Sequence, residues 1–128
     1  IAANKMKDFR NLKVWEKAHH FSLHVYQATR RFPKYERFGL TVQLRRSAVS
    51  IPSNIAEGCG RIGEKEFARF LGIALGSASE AEYQLLLSHD LKYLQTKHYQ
   101  YLACLIDEVK RMLISLIGKI AISQSCKP

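Results

Sequence analysis

The chain has 128 residues, 47% of them hydrophobic and only three of them proline, enough for one domain around one core and too apolar for wholesale disorder. No apolar run approaches the roughly 20 residues that span a bilayer, and no charged n-region leads into a hydrophobic h-region, so no membrane or secretory segment is read and a cytoplasmic protein is expected. Net charge is +9: residues 1–61 carry 12 Lys/Arg against 4 Asp/Glu, and residues 62–128 carry 8 against 7. The positive field of the first half favours a polyanionic partner, RNA or DNA, over a merely solvated basic surface.

In chain order, Met6 is the expected native start, with Ile1 to Lys5 an added remnant or a disordered arm. The first helix is expected from an Asn11 N-cap to about Arg31. Val14, Ala18, Phe21, Val25, Ala28 and Phe32 recur at alternating spacings of four and three, a helical seam rather than a strand pattern. Phe32-Pro33 ends it, because a residue before proline avoids the α region.

The second helix is expected over about Glu36 to Gly60, with Leu40, Leu44, Ala48, Ile51 and Ile55 inward. Pro52 lacks an N–H and crowds the Ala48 carbonyl, which predicts a kink or break. Gly58 and Gly60 are placed to supply a left-handed C-terminus. The third helix is expected over about Glu64 to Tyr93, with Glu64 and Glu66 at the positive end of its dipole. Phe67, Leu71, Ala74, Ala78, Ala81 and Leu85 form its inner face. Ala68, Gly72, Gly76 and Ser79 form a second stripe, expected to admit close approach of the second helix. The fourth helix is expected from a Thr96 N-cap to about Ile122, with Tyr99, Leu102, Ile106, Val109, Leu113, Leu116 and Ile120 on its seam. Leu105, Met112, Ile117 and Ile122 widen that seam, as a subunit interface or a broad core helix requires. Ser123 to Pro128 reads as a frayed tail. The expected fold is therefore all-α: one domain, an antiparallel up-and-down four-helix bundle, ordered over about residues 6–122.

Cys59, Cys104 and Cys126 make no C-x-x-C pair and no zinc pattern, so they read as reduced thiols, two semi-buried and one in the tail. Lys13, Lys17, His20, His24 and Arg31 fall within about 60° of one another on the first helix, a basic stripe beside the seam. Arg30, Lys34 and Arg37 cluster at the adjoining turn. Arg45 and Arg46 point about 100° apart, so one is expected to face solvent or RNA and the other to pair with Glu57, Glu80 or Glu82. These ten basic residues are the candidate phosphate contacts. His20 and His24 have a metal-compatible i, i+4 spacing, with Glu16 one turn before, but no third ligand motif accompanies them, and no metal or cofactor is expected. Ser77 to Glu80 carries no nucleophile elbow, no glycine-rich loop follows a strand, and carboxylates alone do not make a hydrolase; no enzyme is read. Trp15, Tyr26, Tyr35, Tyr83, Tyr93, Tyr99 and Tyr101 form no base-stacking array and are expected mostly in core or interface.

Certain segments are more specific than this periodicity: Phe9-Arg10-Asn11-Leu12-Lys13-Val14-Trp15, Gln43 through Arg61 with its Ser-x-Pro-x-Asn-Ile-Ala-Glu-Gly run, Glu66 to Leu71, and Ile73 to Glu80. On them the chain, from Met6 to about Ile120, resembles the four-helix bundle proteins encoded in intervening sequences of bacterial 23S ribosomal RNA genes. It also resembles their relative, the accessory variability protein of diversity-generating retroelements. The resemblance implies a compact bundle, a ring-shaped homopentamer, and contact with nucleic acid, RNA favoured. The retroelement relative further implies docking on a protein such as a reverse transcriptase.

Overall fold

The computed structural model describes residues 7–126. Among them are four helices and no strand: α1 Lys13–Thr29, α2 Leu40–Cys59, α3 Glu64–Asp90 and α4 Thr96–Ser125. α1 packs on α2 and α4, and α3 packs on the same two. Neighbours run antiparallel: Lys17 meets Glu108, while His20, further along α1, meets Tyr101, further back on α4. Short connections and four apolar stripes close into this four-helix bundle because each stripe is buried only by its neighbours.

The seams form the core. All five expected apolar positions within α1 and Phe32 just after it, all five of α2 and all six of α3 are buried, as are Leu102, Ile106, Val109, Leu113 and Ile120 of α4. Tyr99, Leu105, Leu116, Met112 and Ile117 pack half-buried on its edge, whereas Ile122 is 66% exposed.

Boundaries differ where local polar groups intervene. Asn11 is not an N-cap: Asp8 accepts the Arg10 N–H at 3.0 Å and starts a short 3-10 turn over Phe9–Asn11, one residue before the cap of α1 at Leu12. α2 begins at Leu40 rather than Glu36, because Lys34–Glu36 forms its own 3-10 turn. The Glu36 side chain then reaches forward to accept the Leu40 N–H at 3.0 Å. Its other oxygen accepts from the Tyr93 hydroxyl at 2.8 Å, tying the start of α2 to the α3–α4 turn. α3 stops at Asp90, short of Tyr93, because Lys92 turns left-handed at φ 68° and the Tyr93 N–H doubles back to the Ser88 carbonyl. Thr96 is the first helical residue of α4 and not its cap, and α4 continues through Ser125, so Ser123 to Ser125 are helical rather than frayed. The expected start at Met6, the Ile1 to Lys5 arm and the last two residues lie outside the described residues.

Three expectations about glycine and proline are corrected. α2 runs through Pro52 as one helix, so of the expected kink or break the break is absent. Gly60 is right-handed at φ −85°, and the left-handed glycine is Gly63 at φ 89°, ahead of α3. Gly72 and Gly76 admit no neighbour: both are exposed, with nothing within 4 Å of an added Cβ. The close approach of α2 and α3 is made instead at Gly58, where a Cβ would lie 2.9 Å from Phe70 Cβ and 3.1 Å from Phe67 Cδ1. The Ser50 and Ser77 hydroxyls bond at 2.8 Å further along the same contact. Gly58→Ala is therefore expected to destabilise by about 1–3 kcal/mol, since the stem of Phe70 cannot swing aside. Gly76→Ala is expected to stabilise by about 0.5–1 kcal/mol through helix propensity alone. Urea denaturation of the two variants reads the opposite signs.

Candidate nucleic-acid interface

The ten basic candidates divide between the two flanks of α1. On the α4 flank lie Lys13, Lys17, His20 and His24. Lys17 is ion-paired with Glu108 at 3.4 Å, and the His20 ring nitrogen sits 3.3 Å from the Tyr101 hydroxyl. The His20 and His24 rings are 4.3 Å apart and Tyr101 packs edge-on against His24, so this pair is engaged in an aromatic cluster. Glu16 does not join it, and the described residues hold no group of three His, Cys, Asp or Glu able to grip a metal. Lys13 stands beside a shallow apolar groove of Leu12, Val14, Met112 and Leu116.

Partial burial holds the His24 imidazole below its ordinary value of 6.5, helped by the nearby His20 and His98. The unfolded chain therefore takes up this proton first, and the contribution of neutral His24 is complete above about pH 6.5 and lost as the solution is acidified below it. Glu36 does not confuse the reading, because the Leu40 N–H and the Tyr93 hydroxyl hold its carboxyl below the usual range, so it titrates further into acid. The melting temperature is expected to fall between about pH 7.5 and pH 5.5, and His24→Gln to flatten that fall.

On the α2 flank the arrangement is different. Arg37, Arg45 and Arg46 line one groove with Tyr26, Phe38, Thr41, Val42, Val49 and Ser50. Arg45 pairs with no acid: its Nε donates to the Thr29 hydroxyl at 2.7 Å, a second nitrogen donates to the Tyr26 carbonyl at 3.4 Å, and its guanidinium lies 4.6 Å over the Tyr26 ring. Glu57 is bound to Arg61 and Glu82 to Lys110, which removes two of the three expected acids. Arg46 is the exposed member of the pair. Among the described residues none of Arg30, Arg31, Lys34, Arg37, Arg45 and Arg46 has a carboxylate within 4.0 Å, whereas Arg61, Arg69, Lys110 and Arg111 do. Lys13, Lys65, Lys92, Lys97 and Lys119 have no carboxylate within that distance either, but they are scattered, whereas these six cations follow one another at the end of α1, in the turn after it and along the first part of α2.

The lining residues that sequence reasoning missed are aromatic. Tyr26 is 42% exposed and Phe38 85%, so these rings are not core; Tyr35, 80% exposed, lies outside the groove. The signal was present for Phe38, which is off the α2 seam and sits between Arg37 and Gly39; for Tyr26, only the packing of α1 against α2 reveals it. The cysteines differ too. Cys59 is buried, which raises its thiol above the usual range, while Cys104 and Cys126 are exposed. Among the described residues no helix is long and apolar enough to cross a membrane.

An all-helical bundle with an unpaired arginine groove is the class these features define. The sequence model of the family described as 23S rRNA-intervening sequence protein matches residues 10–115, and the chain belongs to that family. A crystal structure of a protein of unknown function from the S23 ribosomal protein family of Bacteroides thetaiotaomicron is similar in fold, with a TM-score of 0.74 at 29% identity. The match covers 81% of this chain and 97% of that one. No curated protein matches the chain.

Proposed function

We propose that this protein is a non-enzymatic, cytoplasmic nucleic-acid-binding subunit that contacts phosphates without reading sequence. The observation that carries the reading is the groove in which Arg37, Arg45 and Arg46 stand together with no carboxylate partner. Guanidinium groups bond phosphate oxygens in a fork geometry and release counterions on binding. RNA is favoured over DNA on the resemblance to the ribosomal-RNA-encoded and retroelement bundles. The resemblance to ring-forming bundles, the retroelement accessory protein among them, supports assembly as a homopentamer, which native mass spectrometry tests directly. Ile114 and Ile122, 56% and 66% exposed on α4, supply apolar surface for such contacts.

Fluorescence polarisation with a structured ribosomal-RNA fragment and a matched DNA duplex, titrated with salt, tests the phosphate reading. Binding is expected to weaken steeply as salt rises, with a slope that reports the number of contacts. Absence of binding at low salt would falsify it and leave the second reading, a protein adaptor docking a partner such as a reverse transcriptase. The apolar groove of Leu12, Met112 and Leu116 beside Lys13 favours that alternative.

A further inference from the structure

We infer that the groove between α1 and α2 takes unpaired nucleotides, with Phe38 as the surface on which a base stacks. The inference rests on the phosphate reading above and adds a ligand class to it. Duplexes present phosphates outward and keep their base faces inside the stack, so arginines alone suffice to hold them. An open aromatic ring beside those arginines gives a base whose face is free a surface to stack on, which a duplex cannot use.

Phe38 is such a ring. It is 85% exposed, contributes nothing to the core, and stands in the turn before α2 with the Arg37 guanidinium 5.2 Å from its centroid. Arg37 engages the ring, yet the high exposure leaves ring surface open to a base. Tyr26 adds a second ring to the same groove, 42% exposed and carrying Arg45 at 4.6 Å. Arg45 is already anchored to Thr29 and to the Tyr26 carbonyl, so little side-chain freedom is lost when a phosphate arrives. Arg46, exposed and without a carboxylate, completes the cationic wall. A single strand matches both features at once, a base for the ring and regularly spaced phosphates for the three guanidinium groups.

The test uses the full chain and three labelled oligonucleotides of one sequence: single-stranded RNA, the RNA duplex, and single-stranded DNA, with 2-aminopurine at one position of each single strand. Single strands are expected to bind more tightly than the duplex, and 2-aminopurine emission to be quenched on binding. Phe38→Ala is expected to weaken single-strand binding by about 5- to 150-fold and restore the emission, the range found when a stacked ring is removed. Duplex affinity and the salt slope should stay within about twofold, because no phosphate contact is lost. Tighter binding of the RNA strand than the DNA strand assigns the ligand as RNA; equal binding assigns it as any unpaired strand.

Equal affinity for single strand and duplex, with Phe38→Ala silent in both readouts, overturns the stacking inference and leaves the phosphate reading standing. Binding of no oligonucleotide at low salt overturns both.

Discussion

Reversing two charges, Arg37→Glu together with Arg46→Glu, is expected to cut RNA affinity by roughly 100-fold or more, at about 1.5–3 kcal/mol for each charge-assisted bond lost. The salt slope should fall by about two, one for each phosphate released. Both side chains are exposed and neither has a carboxylate partner, so the double variant should keep its circular dichroism and melting temperature. Arg45 is the wrong choice for this experiment, because its bonds to Thr29 and Tyr26 hold α2 against α1. The informative control is Lys13→Glu on the other flank of α1. If the α1–α2 groove is the interface, that change leaves affinity within about twofold after allowing for the weaker long-range field. An equal loss from Lys13→Glu would instead assign binding to the α1–α4 flank and sink the groove.

Ser22→Ala should cost about 1–3 kcal/mol, far more than removing one exposed oxygen, because it orphans a buried carbonyl. Pro52 lies inside α2 and has no N–H to offer the Ala48 carbonyl four residues back. The Ser22 hydroxyl, buried on α1, lies 3.0 Å from that carbonyl oxygen and 3.1 Å from the Ala18 carbonyl of its own helix. The Ala18 carbonyl already has the Ser22 backbone N–H in the regular α pattern, so the proton is more useful to Ala48. An adjacent helix thus supplies the bond that proline removes, and α2 passes through Pro52 without a break. Pro52→Ala restores a backbone donor, so in that background Ser22→Ala should cost less by at least about 0.5 kcal/mol. Chemical denaturation of the wild type, both single variants and the double variant closes the cycle. Equal costs in the two backgrounds would show that Ser22 does not serve Ala48.

The core was legible because a helix that buries one stripe must repeat apolar residues every three or four positions, and the packing neighbour need not be known. Val14 to Phe32, Leu40 to Ile55 and Phe67 to Leu85 were read this way, and all are buried. The sum of charges in each half was equally readable. Helix ends were less so, since a side chain several residues away can cap as well as an adjacent one. Glu36 capping Leu40 shows this, with Gly39 in between, where a Cβ would collide with the capping oxygen.

By itself, then, the sequence determined the helical class, the four seams, the concentration of positive charge in the first half and the family. Tertiary structure decided which charges are free. Lys17 and Arg46 look alike in a row of letters, but antiparallel packing brings Glu108 to Lys17 and leaves Arg46 facing an open groove. It also decided which glycine is needed, Gly58 and not Gly72 or Gly76, because a missing Cβ matters only where a neighbour occupies its place. And it showed Tyr26, expected in core or interface, and Phe38, on which the sequence reading was silent, to be exposed rings beside arginines, since exposure depends on what the rest of the chain covers. Periodicity is a property of one helix; pairing, clash and exposure are properties of two.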